Sequence, residues 1–160
     1  MINAQTLRTL SALAESYERE RDHAAETLAE CRRVSLRRQQ ELSHAQTTLT
    51  RTQSDLQHAT EARRALATKV TDAVELQWAH QHRLRLQDLC NAAIADVEAA
   101  LRAHDEARRH ADNAFNQLAL VEAKIKAVVS RRERLVAEDA RKVAEREDEE
   151  ASERAARRKH

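Results

Sequence analysis

Leu42-Ser43-His44-Ala45-Gln46-Thr47-Thr48-Leu49-Thr50-Arg51-Thr52-Gln53-Ser54-Asp55-Leu56 decides the fold, because leucine returns every seven residues through a stretch otherwise rich in hydroxyl and amide side chains. Threonine and serine form helix poorly, and such a run would ordinarily suggest a hinge. A return at seven is instead the period at which one stripe of a helix keeps facing a neighbour. Working outward at 3,4 spacing, the same stripe takes in Leu7, Leu10, Ala14, Tyr17, Ala24, Leu28 and Cys31 upstream, and Ala45, Ala59, Leu66 and Val70 alongside and downstream. A straight amphipathic helix drifts about 20° per heptad against a fixed 3.5 repeat. This series holds its phase, which predicts a coiled-coil seam rather than a turn in the threonine-rich stretch.

Composition points the same way. The 160 residues include no glycine and no proline, and one each of Trp, Tyr and Phe. Tight turns draw on glycine for positive φ and on proline for a fixed φ, and a globular core draws much of its buried area from aromatic rings. Long helices need neither. With 41% hydrophobic and 34% charged residues the chain carries a coiled-coil composition. Its net charge of +1 is spread evenly, so no segment offers the concentrated positive field that duplex binding requires, and nucleic acid is not expected as a partner. The longest apolar run, Leu118-Ala119-Leu120-Val121, is far shorter than the roughly 20 residues that cross a bilayer, so membrane insertion is not expected. The first residues lack the basic, apolar and small-residue sections of a signal peptide, which predicts a cytoplasmic protein with Cys31 and Cys90 reduced.

A second series, Ile94, Val97, Leu101, His104, Ala111, Phe115, Leu118, Ile125, Val129, Val136 and Val143, has the same spacing but a different phase. Either a stutter in one helix or a reversal of the chain produces such a slip. Asp72 followed by Glu75 has the form of a capping box and favours reversal. The fold expected is therefore all-α, a single long antiparallel two-helix coiled-coil hairpin. Its first helix covers about residues 3–68, its turn about 69–72 and its longer second helix about 73–150, with a charged tail over 145–160. Asn3, with Ile2 and Leu7 at staple positions, anchors the start.

Polar residues interrupt both series: Arg21, Ser35, Arg38 and Arg63 in the first, Arg108, Glu122, Arg132 and Asp139 in the second. Each forgoes the roughly 1.5–3 kcal/mol of a buried aliphatic side chain, which predicts modest stability. Between Phe115 and Val136, Val121, Val128 and Leu135 add a third apolar row beside Phe115, Leu118 and Ile125. That stripe is wider than a two-helix contact needs, so it predicts a further chain there, a second copy or a partner protein.

No catalytic constellation, metal site or cofactor site is expected, and the protein is read as a non-enzyme. His80 and His82 lie about 200° apart around a helix and cannot share one ion, while His23, His44 and His58 form a sparse outward row. His104 is read as a polar seam residue. The arginine pairs at Arg32–Arg33, Arg37–Arg38, Arg63–Arg64, Arg108–Arg109 and Arg131–Arg132 are a solvated face or a dock for an acidic surface. Trp78 either closes the turn or projects as an interface anchor.

The C-terminal stretch Asp148-Glu149-Glu150-Ala151-Ser152-Glu153-Arg154-Ala155-Ala156-Arg157-Arg158 closes a charged hairpin whose second helix is the longer. In this layout the chain resembles the FliJ/YscO-type stalk proteins of type III secretion, with the Hrp systems of plant pathogens as the nearer subgroup. The resemblance spans the chain and rests on architecture. It implies a cytoplasmic, non-enzymatic stalk, peripheral to the inner membrane, that links the hexameric secretion ATPase to an export-gate protein. On this reading Leu7, Arg8, Arg141, Lys142, Arg146, Arg154, Arg157 and Arg158 engage the ATPase, and Trp78, His82 and Arg85 face the gate. The alternative is a homo-oligomeric structural coiled coil without an ATPase partner, assembled through the Phe115–Val136 stripe.

Overall fold

The computed structural model describes residues 4–69 and 72–157. They form two helices packed against one another, α1 (Ala4–Ala67, 64 residues) and α2 (Ala73–Arg157, 85 residues), with no strand among the described residues. The threonine-rich stretch is helical throughout. Its hydroxyls donate back along the helix, Thr47 to the Ser43 carbonyl at 2.9 Å, Thr48 to His44 at 3.1 Å, Thr50 to Gln46 at 3.0 Å and Thr52 to Thr48 at 3.1 Å. Such back-bonding satisfies the hydroxyl without competing for the amides that make the helix, although it weakens the helix slightly.

Without glycine the chain stops α1 by other means. No described residue has positive φ, so the usual left-handed cap is absent among them. The last turn tightens instead: Lys69 N–H donates to the Leu66 carbonyl at 3.2 Å, and the Thr68 hydroxyl donates to the Ala65 carbonyl at 2.8 Å. Across the turn Asp72 starts α2, its carboxylate accepting from Val74 N–H at 3.2 Å and its carbonyl accepting from Leu76 N–H at 3.3 Å. A cap of this kind stabilises a helix by about 1 kcal/mol. Asn3, Ile2, Val70 and Thr71 lie outside the described residues.

The chain divides into two compact units, Met1–Leu28 with Asn113–His160, and Ala29–Asp112. In the second unit His58, Ala59 and Ala62 share a groove with His82 and Leu86, so the helices run antiparallel away from the turn. In the first unit Glu20 bonds Lys124 at 3.5 Å, and Ala4 and Leu7 share a groove with Val136, Asp139 and Val143, the same antiparallel sense. Lys124 also sits 5.3 Å from the Tyr17 ring centroid. An exposed pair of this kind is worth at most about 1 kcal/mol, so it aligns the helices more than it holds them.

The seam of α1 is the one its sequence specifies, from half-buried Leu7 and Leu10 through buried Leu28 to half-buried Leu56 and Leu66. The seam of α2 departs from expectation by one residue. Val97, His104, Ala111, Leu118 and Ile125 face inward, but the row that completes them is Ala93, Ala100, Ala107, Ala114, Val121, Val128 and Leu135. Ala93, Ala107 and Val121 are only 5%, 6% and 3% exposed, whereas Ile94, Leu101, Phe115 and Val136 are 41%, 46%, 53% and 50% exposed. Small side chains let two helix axes approach closely, and the gain is dispersion contact along the backbone rather than the area of any one residue. The shift also removes Arg108 and Glu122 from the core, where Ala107 and Val121 stand instead, and leaves both exposed.

On α1 the polar interruptions remain. Arg21, Ser35 and Arg63 are half-buried, while Arg38 swings out to Glu41 at 2.6 Å. Arg21 finds Asp22 at 2.7 Å, and that hydrogen bond, with the Coulomb attraction of Asp22 and more weakly of Glu18 and Glu122, holds the guanidinium above its ordinary pKa. Near the turn the match is poorer: Arg63 Nε, His80 Nδ1 and Arg83 Nε are buried without a hydrogen-bond partner. Unmade bonds of this sort are destabilising.

Two outcomes follow for stability. Val121→Ser should lower stability by about 2 kcal/mol, through lost burial and a stranded hydroxyl, whereas its neighbour Leu120→Ser should stay within about 0.5 kcal/mol, as read by urea unfolding followed by circular dichroism. Arg63→Leu should raise the melting temperature, gaining roughly 1 kcal/mol by exchanging an unpartnered donor for apolar contact; a lower melting temperature would mean that the guanidinium has a partner in solution.

Candidate functional site

Three surfaces were expected from the sequence, and each lies on one of the two units. At the turn end of the second unit, Trp78 is 68% exposed, so it projects rather than closing the turn. His82 and Arg85 follow it at four and seven residues, within about 40° of the same face of α2, and both are exposed. Val74, 55% exposed and one turn before Trp78, continues that face. His82 also borders a shallow groove with Asp55, His58, Ala59, Ala62 and Leu86. The structure therefore brings Trp78, His82 and Arg85 together and adds Val74. The missed residue was legible from its position four before the tryptophan.

The charged surface of the first unit divides differently. Leu7 is half-buried in a groove with Val136, Asp139 and Val143, so it packs inside the unit, while Arg8 is exposed. Arg141, Lys142, Arg146 and Arg154 are all exposed, and residues 141–154 include no buried or half-buried position. Arg154 pairs with Glu150 at 3.0 Å, one helical turn back. Glu147 shares a groove with Ala4 and Leu7 at the start of α1. The side chain of Arg157, and Arg158 with Lys159, lie outside the described residues.

The apolar stripe is the surface that the structure revises. Of Phe115, Leu118, Val121, Ile125, Val128 and Leu135, Val121 is buried and four are half-buried in the α2 seam, so only Phe115 remains exposed. Val121 shares a groove with Glu20, His23 and Ala24 of α1. These valines fill the contact between the chain's own helices, and Ile94, Leu101, Phe115 and Val136, which the sequence assigns to the core, are 41–53% exposed. Their signal was in the sequence: large apolar residues recurring at seven, from Ile94 through Leu101 and Phe115 to Val129, Val136 and Val143.

The histidines hold no metal constellation: among the described residues no three His, Cys, Asp or Glu side chains converge. His104 is half-buried in the seam, its Nδ1 3.6 Å from Asp105. His23, His44 and His58 are exposed, and Cys31 and Cys90 are free thiols. Among the described residues no helix is long and apolar enough to cross a membrane.

Comparison with known proteins leaves these surfaces to be read on their own chemistry, since no protein-family model, no curated protein and no solved structure matches the chain.

Proposed function

We propose that the protein is a non-enzymatic coiled-coil stalk that works by touching partners at its two ends. The observation that carries this reading is the end of α2. Beyond Glu147, which shares a groove with Ala4 and Leu7, the helix continues through Asp148, Glu149 and Glu150 to Arg154, and every described side chain there is exposed. An exposed helix of this kind gains little apolar burial, and acid–base pairs such as Glu150–Arg154 add only about 0.3–0.5 kcal/mol each. An extension of that kind suits insertion into another protein, where long arginine side chains find carboxylates.

The specific reading is the one the resemblance implies, a cytoplasmic stalk between a hexameric type III secretion ATPase and an export-gate protein. Arg8, Arg141, Lys142, Arg146 and Arg154 are its ATPase-facing groups, and the Trp78, His82 and Arg85 face is its gate end. Leu7 is half-buried, so it serves by holding the start of α1 against α2 rather than by touching the ATPase. Exposed arginine and tryptophan are the side chains that most often anchor protein interfaces. A second reading, self-association without an ATPase, is favoured by the exposed row containing Phe115 and Val136.

Deleting residues 145–160 should abolish co-purification with the host secretion ATPase while circular dichroism retains the helicity of the remaining chain. Undiminished co-purification would remove the tail from the binding surface.

A further inference from the structure

Within the first unit, α2 carries a stripe of charge that is complementary to itself. At 3,4 spacing it runs Ala127, Arg131, Arg134, Glu138, Arg141, Glu145, Asp148 and Ser152. At 100° per residue these positions stay within about 100° of arc. All of them are exposed, and all belong to the unit that contains Asn113–His160. About the point midway between Asp139 and Ala140, Arg131 mirrors Asp148, Arg134 mirrors Glu145, Glu138 mirrors Arg141 and Ala127 mirrors Ser152. Every charge therefore finds the opposite sign at its mirror position. The stripe ends where Lys124, the next position upstream, turns to Glu20 and Tyr17 of α1.

These charges are uncommitted within the chain. Opposite charges three or four residues apart can pair along one helix, as Arg33 does with Glu30, Arg38 with Glu41 and Arg154 with Glu150. Among the described residues, none of Arg131, Arg134, Glu138, Arg141, Glu145 and Asp148 makes an ion pair. Arg131 and Arg134 instead line a shallow groove with Lys126 over Ala123, Ala127 and Ser130, a surface of small and cationic side chains with no carboxylate. Glu145, Asp148 and Glu149 stand exposed in the acidic run of the same helix.

We infer that this stripe is the contact of a weak antiparallel homodimer, in which the acidic run of one copy lies along the cationic groove of the other. With the two-fold axis between Asp139 and Ala140, Arg131 meets Asp148, Arg134 meets Glu145 and Glu138 meets Arg141 of the second copy, each pair made twice by symmetry. Glu149 of the second copy falls beside Ser130 in the groove. Run parallel, the stripe would set every charge against its like. A two-fold interface must be self-complementary, and like charges directly opposed are what it avoids. A partner of unrelated sequence would give no reason for the signs on the two sides of the axis to mirror one another, so the occupant is a second copy. Exposed ion pairs contribute little each, so the dimer is weak and is weakened further by salt. The inference does not rest on the stalk reading. Arg141 serves in both, which makes the dimer and the ATPase-bound chain alternative states. The dimer is read from the mass of the purified chain and the stalk from ATPase co-purification, so either can fail alone.

The test is sedimentation equilibrium on the full chain over a range of protein concentrations and ionic strengths, with helicity followed by circular dichroism. At low ionic strength the wild-type chain should approach a dimer as its concentration rises, and about 0.5 M salt should weaken that dimer about tenfold or more. Arg134→Glu and Glu145→Arg should each weaken it to a similar extent, because each sets like charges opposite one another at both symmetric contacts. Combining the two substitutions in one chain should return the dimer to wild-type strength. The two positions are about 16 Å apart along one helix, too far to pair within a chain, so this rescue reports a contact between copies. An equimolar mixture of the single variants should also associate, since one copy is then acidic and the other basic at both positions. A wild-type chain that stays monomeric at low ionic strength would overturn the inference. So would single variants that dimerise as tightly as wild type, or a double variant that is not rescued, the behaviour of association through another face.

Discussion

Everything in this structure depends on which row of α2 lies against α1. A helix offers several stripes at seven-residue spacing, and each candidate here shares the inward row of Val97, His104, Ala111, Leu118 and Ile125. The stripe selected adds alanine through residues 93–114 and larger aliphatics from Val121 onward. Buried alanine contributes little area by itself. It lets the backbones come close, so that contact is gained along the length of the helices. That geometry places Arg108 and Glu122 in water, and it keeps the larger side chains of the adjacent row outside.

Stability is correspondingly modest in character. Among the described residues no large side chain is fully buried, and the buried core consists of Leu28, Cys90, Ala93, Ala107, Ala114 and Val121. Arg63, His80 and Arg83 leave unpartnered nitrogens near the turn, where apolar residues would serve folding better. Polar residues at seam positions fix alignment at the expense of stability. The ends of α1 and α2 are governed by the same economy of means: with no glycine, Thr68 and Asp72 satisfy backbone groups through side chains.

The surfaces follow from that packing. Trp78 projects because its neighbours on the inward face, Leu76, Ala79 and Arg83, already occupy the side toward α1. The end of α2 is in solvent because, past Val143, its sequence offers no large aliphatic side chain to a neighbour. Phe115 stands exposed at 53% because Ala114 takes the inward position beside it. The surfaces open to solvent are therefore helix faces, and each face is defined by what the helix pair leaves uncovered.

The sequence by itself determined the helices, the seam of α1 and the start of α2. Leucine at 42, 49 and 56 holds one phase whatever the neighbouring threonines prefer, and Asp72 caps through local bonds that need no distant contact. The tertiary structure alone decided the partner row of α2. Ala93 and Ile94, Ala100 and Leu101, Ala114 and Phe115, Val128 and Val129 stand side by side at the same spacing, and hydrophobicity favours the larger of each pair containing alanine. How closely the two backbones approach is a property of both helices together, and it is this distance that selected the smaller residues for the inside.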